Sequence, residues 1–242
     1  MNDVDNEIVN AVAEALLQTS MERARKEASE LEFDMSDSIP VFRKLVSETD
    51  TGIAIIASAY IDECLKNLFM LYVRHSSKKS QNSLFEFNGP LGTFSSRIHT
   101  ASAFDFISEK TYLRLNIIRK IRNDFAHRPF DLSFNKEEIK QRINEIDVNH
   151  KSLLTNIRKI KDAQKITKPP SKLTMKEEFL IRSILTLSNM SSEMIIFPIA
   201  KANRVSASTI LRNYDDLPEN LKDIKKKTAA CIFEIFKAGK AR

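Results

Sequence analysis

A chain that folds into a sheet needs glycine or proline at its many corners, and this one has four glycines and seven prolines in 242 residues. Leucine, isoleucine, lysine and glutamate fill the stretches between them, so long helices are what the sequence can build. The expected class is all-α, a helical bundle domain followed by a second, smaller helical unit. Hydrophobic residues at 42% and charged residues at 29% supply a real core and exclude a disordered chain.

Helical periodicity places the elements. An N-terminal helix is expected from Ile8, Val12, Ala15 and Leu16, giving way over residues 22–32 to a polar run that buries little. Behind Asp50, expected as a cap, Ile53, Ile56, Ala57, Tyr60, Cys64, Leu68 and Leu71 recur three and four apart, the pattern of a helix buried on one face. Asn88-Gly89-Pro90 marks a loop, and a short helix through Ile98 follows. Ser108 is placed to cap the next helix, with Leu113, Ile117, Ile121 and Phe125 as its apolar face. Pro129 disfavours helix in the residue before it, so that helix ends near Arg128. Asn135 and Glu138 have capping-box spacing for a long helix in which Ile139, Ile143, Ile146, His150, Leu153, Ile157 and Ile160 alternate four and three apart. His150 on that stripe reads as a hydrogen-bonded core residue. Lys168-Pro169-Pro170-Ser171 is a stiff linker and the expected domain boundary. Beyond it, Thr174 and Glu177 form a second capping box, then come Leu180, Ile181, Ile184 and Leu187, two further short helices, and a last helix closing at Gly239. Three parts result: an acidic arm over 1–40, a helical domain over 41–168 and a second unit over 171–242.

The charge is uneven. Residues 1–40 hold ten acidic and three basic side chains, although the whole chain is at +6, so the remainder is strongly basic. Residues 151–172 carry seven basic side chains against Asp162, and residues 222–242 carry seven against Asp223 and Glu234. Solvated helix faces account for such runs, and so does a polyanionic partner, DNA or RNA. No apolar stretch approaches the roughly 20 residues that span a bilayer, so no membrane partner is expected. The acidic N-terminus is the reverse of a secretory signal. Cys64 and Cys231 give neither a disulfide framework nor a zinc site. A cytoplasmic protein without metal or cofactor is expected.

Two blocks carry a stronger signal. Gly89-Pro90-Leu91-Gly92-Thr93-Phe94-Ser95-Ser96-Arg97-Ile98 and Arg119-Lys120-Ile121-Arg122-Asn123-Asp124-Phe125-Ala126-His127 resemble the signature of the mannitol operon repressor family, with Tyr60-Ile61-Asp62 similar to a third block. The resemblance covers roughly residues 50–160. It implies an all-helical domain that regulates a carbohydrate-uptake operon. Taken by residues, Arg119, Asn123 and His127 recur every four positions as a polar stripe opposite the apolar face. The spacing Arg122-Asn123-x3-His127 also resembles the motif of HEPN-type ribonucleases. That resemblance implies metal-independent RNA cleavage with His127 moving protons and Arg122 stabilising the phosphorane. The same three residues could instead cap the helix end and hold the loop over 89–93, with Asp124 as a partner.

Residues 199–214 resemble the helix-turn-helix of the TetR family, preceded by a matching helix over 174–188. Ala202 lets two helices cross closely, Val205 plugs the core and Ser206 caps the second helix. Ser208, Thr209, Arg212 and Asn213 are then the candidate base readers, and Lys201 and Tyr214 reach phosphates. Arg204 stands where that family has glycine, which loosens the turn. The function expected is a DNA-binding transcriptional regulator, active as a homodimer through the polar stripe or the four-three stripe. A ribonuclease using Arg122, Asn123 and His127, or a protein-binding adaptor, is the alternative.

Overall fold

A computed structural model describes residues 3–31, 33–73, 76–159, 172–203, 206–210, 215 and 217–240. It consists of helices α1 (Asp3–Ser29), α2 (Ser38–Leu45), α3 (Asp50–Val73), α4 (Lys78–Phe85), α5 (Phe94–Ala103), α6 (Glu109–His127), α7 (Glu137–Glu145), α8 (His150–Lys159), α9 (Met175–Ala202), α10 (Ala207–Ile210) and α11 (Glu219–Lys240), with no strand among the described residues. The class is all-α, as the scarcity of turn-formers requires. None of the described helices is long and apolar enough to cross a membrane.

Helix α9 is the axis of the fold. It starts at the expected capping box, where Thr174 Oγ1 accepts from the Glu177 amide and the Glu177 carboxylate accepts from the Thr174 amide at 2.7 Å. It packs against α3 and α6 on one side and α11 on the other, so Leu180, Ile184, Leu187, Met194 and Ile195 are all fully buried. Ser183, Thr186, Ser188, Ser191 and Ser192 are buried as well. Their small side chains let neighbours come close, and Thr186 and Ser192 satisfy their hydroxyls on the carbonyls of Arg182 and Ser188, each at 2.8 Å.

The first of the two short helices, expected to start over residues 195–198, is instead the continuation of α9, which runs through Pro198. Proline lacks the amide that would bond the carbonyl four residues earlier. The Tyr72 hydroxyl from α3 donates to that carbonyl, Met194 O, and the helix passes the proline without an orphaned acceptor.

Conversely, the single long helix expected from 135 to 160 is two. Helix α7 ends at Glu145, Asn149 takes a left-handed conformation at φ 50°, and α8 begins at His150. The break is held from outside, because Arg182 Nη1 donates to Ile146 O at 2.6 Å and to Asn144 O at 3.4 Å, occupying carbonyls at the end of α7. Ile139, Ile143 and Ile146, the first part of the four-three stripe, are fully buried within the chain, and Leu153 is half-buried; the side chains of Ile157 and Ile160 lie outside the described residues. His150 is a core residue, its Nε2 3.0 Å from Glu178.

Several local expectations shift. Asn135 caps nothing, since α7 has Lys136 at its N-cap with no side-chain bond. Thr49 accepts from the Gly52 amide at 3.0 Å in the first turn of α3, while Asp50 Oδ2 accepts from the Phe134 amide at 2.8 Å. Gly239 does not end α11, which continues to Lys240. In α1 the expected pattern is inverted. Val12, Leu16 and Leu17 are exposed, and Ala24 and Ala28 in the polar run are fully buried where α1 meets α9 and α11. A helix packs tightly through alanines, and Asn220 Nδ2 fixes its end on Ala28 O at 2.6 Å and Leu31 O at 2.8 Å.

The expected boundary over 168–171 lies outside the described residues. The chain before and after it contributes to one core: Phe134 stacks on Phe179 with centroids 4.9 Å apart and meets Phe125 at 5.1 Å. Cys64 and Cys231 are buried and free, and burial pushes both thiols up to about 12.

Candidate functional site

The loop between α4 and α5 doubles back on the end of α4. Leu91 N donates to Leu84 O at 2.8 Å and Gly89 N to Glu86 O at 2.7 Å. The approach is too close for any side chain: a Cβ on Gly89 would fall 2.4 Å from Ser83 O, and one on Gly92 would fall 2.2 Å from Glu86 O. Both glycines in the first block are therefore required by backbone contact. Thr93 then starts α5 with a capping box, its Oγ1 accepting from the Ser96 amide and the Ser96 hydroxyl accepting from the Thr93 amide, both at 3.0 Å.

One turn later Arg97 is buried. Its Nε and Nη2 lie 2.8 and 2.7 Å from Asp62 Oδ1 on α3, and its Nη1 donates to Leu91 O at 2.6 Å. This guanidinium ties the loop to α3. Burial raises the Asp62 carboxyl above its ordinary value, while the bonds from Arg97 oppose that shift.

Helix α6 completes the site. Ser108 caps it as expected, accepting from the Thr111 amide at 3.3 Å and donating to Glu193 Oε1 at 2.8 Å. Its buried face is Leu115, Ile118, Ile121 and Phe125, and Leu113, expected in the core, is exposed. The helix is thereby rotated so that Arg119, Arg122 and Asn123 line a cavity of about 390 Å³ with Ser58 and Asp62 of α3 and Ser95 of α5. Positions i, i+3 and i+4 share a face, which is why these three converge. Phe87 and Phe94 also line it.

Arg122 Nη1 donates to Asn123 Oδ1 at 3.0 Å, and Arg119 Nη2 donates to Asn116 Oδ1 at 3.4 Å. The Arg119 Nε is buried without a hydrogen-bond partner. Chemically the cavity is rich in donors, and its one carboxylate is already committed to Arg97. Among the described residues no group of three or more His, Cys, Asp or Glu side chains could hold a metal ion.

The stripe read from the sequence is divided by the fold. Arg119 and Asn123 enter the cavity, while His127 stands exposed in the last turn of α6 and does not line it. Asp124 pairs with Arg142 of α7 rather than with its own turn. What the sequence did not reveal is Ser58, Ser95 and Phe87 as neighbours of these arginines. The available signal was that the three family-like blocks fall on three separate elements.

Of the candidate DNA-reading residues, Lys201 is exposed in the last turn of α9 and pairs with Asp105 at 2.9 Å. Ser206 and Ser208 are exposed and bond each other at 2.7 Å. Thr209 lies in α10. Arg212, Asn213 and Tyr214, with Arg204 and Val205 of the expected turn, lie outside the described residues. The lysines of α11 are largely engaged. Lys225 Nζ donates to Ser188 Oγ at 3.1 Å, and Lys227 bridges Asp34 and Asp223 at 2.5 and 2.6 Å, leaving Lys226 exposed.

A family model described as "Mannitol repressor" matches residues 47–199, from just before α3 to near the end of α9 and across the whole cavity. No curated protein and no solved structure matches the chain.

Proposed function

Because the chain belongs to the mannitol repressor family, we propose that it is a transcriptional regulator that binds DNA through the segment following the core of α9. The family match carries this reading. It ends at residue 199, so the DNA-reading segment over 201–214 rests on its own features. These are an exposed helix end at Lys201 and the short helix α10, with Ser206 exposed just before it and Ser208 exposed within it. Thr209, Arg212 and Asn213 would read base edges, with Lys201 and Tyr214 on phosphates. The ion pair of Lys201 with Asp105 is exposed on both sides and is readily exchanged for a phosphate. In the lysine run of α11, Lys225 and Lys227 are engaged by Ser188, Asp34 and Asp223, and Lys226 is exposed. Helix α9 supplies the link between ends, because it packs on the two helices, α3 and α6, that carry the cavity.

The regulator is proposed to act as a dimer. Val12, Leu16 and Leu17 form an exposed apolar patch on the acidic α1, which suits a second copy whose remainder is basic. Light scattering should give twice the chain mass, and a clean monomer at tens of micromolar would remove this part.

Anisotropy of labelled promoter DNA from the chain's own locus tests the main reading. Arg212→Ala should cost about 1–3 kcal/mol on the preferred fragment and little on random DNA. Absence of any preference between fragments would end the repressor assignment. RNA cleavage that is lost in His127→Ala would replace it with a ribonuclease.

A further inference from the structure

We propose that the cavity between α3, α5 and α6 is a binding site for the phosphate group of a small organic phosphate monoester. The proposal is independent of DNA binding, since no cavity residue belongs to the proposed DNA-reading segment and it is read by ligand binding alone.

The first argument is charge. Arg97 is neutralised by Asp62 at 2.7 Å, and its Nη1 donates to the loop at Leu91 O. Arg119 and Arg122 have no carboxylate within ion-pair distance among the described residues; each has one hydrogen bond, to an amide oxygen, and Arg119 Nε has none. A guanidinium carries five donors, so most of their capacity is unused at a concave surface where Arg119 is half-buried and Arg122 is exposed. Two such cations side by side repel one another unless an anion lies between them.

The second argument is the kind of donor around them. Asn123 Oδ1 already accepts from Arg122, which leaves its NH2 group as the free end. The Ser95 side chain lines the same cavity at the start of α5, a helix of 10 residues with no acidic side chain in its first turn. The Thr93 hydroxyl serves the Ser96 amide, so the amides of Phe94 and Ser95 remain for a ligand. Guanidinium, amide NH2, hydroxyl and backbone N–H groups thus approach from two elements, and the one acceptor is locked. A ligand matched to this set has several acceptor oxygens and more than one negative charge. A phosphate monoester meets that description with three terminal oxygens, and a carboxylate with two oxygens and one charge does not.

The third argument is size. A cavity of about 390 Å³ falls in the range of small-molecule sites and is several times what one tetrahedral ion fills. Phe87 and Phe94 line the rest, giving an organic body apolar surface to lie against.

Calorimetric titration of the full chain tests this with inorganic phosphate, phenyl phosphate and ribose 5-phosphate, with phenol and ribose as unphosphorylated counterparts and a short single-stranded RNA beside them. The monoesters should bind at millimolar concentration or below, inorganic phosphate more weakly, and the unphosphorylated bodies not at all. Arg122→Gln should weaken the monoesters by about tenfold. Ser95→Asp is the sharper variant: a carboxylate in the first turn favours the helix, so the melting temperature should hold or rise, yet it fills the anion position and should abolish binding. The proposal is overturned if no monoester binds, if both variants bind as the wild type does, or if inorganic phosphate binds as well as the monoesters. RNA that binds more tightly than the monoesters and is lost in Ser95→Asp would assign the cavity to nucleic acid instead.

Discussion

Replacing Tyr72 with Phe isolates the device that carries α9 past Pro198. Met194 is fully buried, its carbonyl has no amide partner at Pro198, and the Tyr72 hydroxyl donates to it from α3. Burial pushes the Tyr72 hydroxyl well above the ordinary phenol value, so it remains a donor at every working pH. Tyr72→Phe removes one oxygen and keeps the ring, which stacks on Phe106 with centroids 5.0 Å apart. The loss is then that of stranding a buried carbonyl, about 1–3 kcal/mol. Near the middle of that range, a chain of this length should melt about 4–8 °C lower. Pro198→Ala restores an amide to the same carbonyl, and in that background Tyr72→Phe should cost far less, giving a coupling of about 1–2 kcal/mol. Urea unfolding followed by circular dichroism, with unchanged dependence on denaturant, measures all four corners of the cycle. Equal costs of Tyr72→Phe with and without Pro198 would refute the reasoning, because the hydroxyl would then not be standing in for the missing amide.

The two loop glycines and the helical one should respond oppositely. Gly92→Ala forces a Cβ to 2.2 Å from Glu86 O and should cost about 1–3 kcal/mol in thermal melts, whereas Gly52→Ala meets nothing nearer than Thr49 Oγ1 at 3.2 Å and should be neutral or stabilising. Asp62→Ala leaves Arg97 buried and unpaired, an expected loss of about 3 kcal/mol that Arg97→Met in the same chain should largely recover, as equilibrium unfolding can establish. At Glu178 burial works against ionisation, but the close His150 ring and the bond from Arg182 outweigh it and hold the carboxyl below its ordinary 4.5. Its contribution is therefore complete above that value and is lost as pH falls through the lower folded value, so Glu178→Gln should flatten the acid limb of a stability-against-pH curve.

Local chemistry decided what could be read from the sequence. Few turn-formers and three-four apolar spacing are enough for an all-α fold, and the caps at Ser108 and at Thr174 with Glu177 are written within four residues of themselves. The two family-like blocks were equally legible, because close backbone contact at Gly89 and Gly92 and a capping threonine leave little freedom in residue type. Other features depended on partners far along the chain. Pro198 reads as the first turn of a new helix until Tyr72, 122 residues from Met194, supplies that carbonyl with a hydrogen bond. The stripe from Ile139 to Ile160 reads as one helix until Arg182, 36 residues from Ile146, takes the carbonyls at its middle. The face of α6 was misjudged by the same logic, since Leu113 and Leu115 are alike in sequence and only the packing of α3 against α6 selects which is covered. That selection turns Arg119 and Asn123 towards Asp62 and Ser95. Sequence thus determined which helices form and where most begin, and tertiary packing determined which helix continues, which one breaks, and where the arginines meet, because each of those outcomes rests on a side chain that the local sequence does not contain.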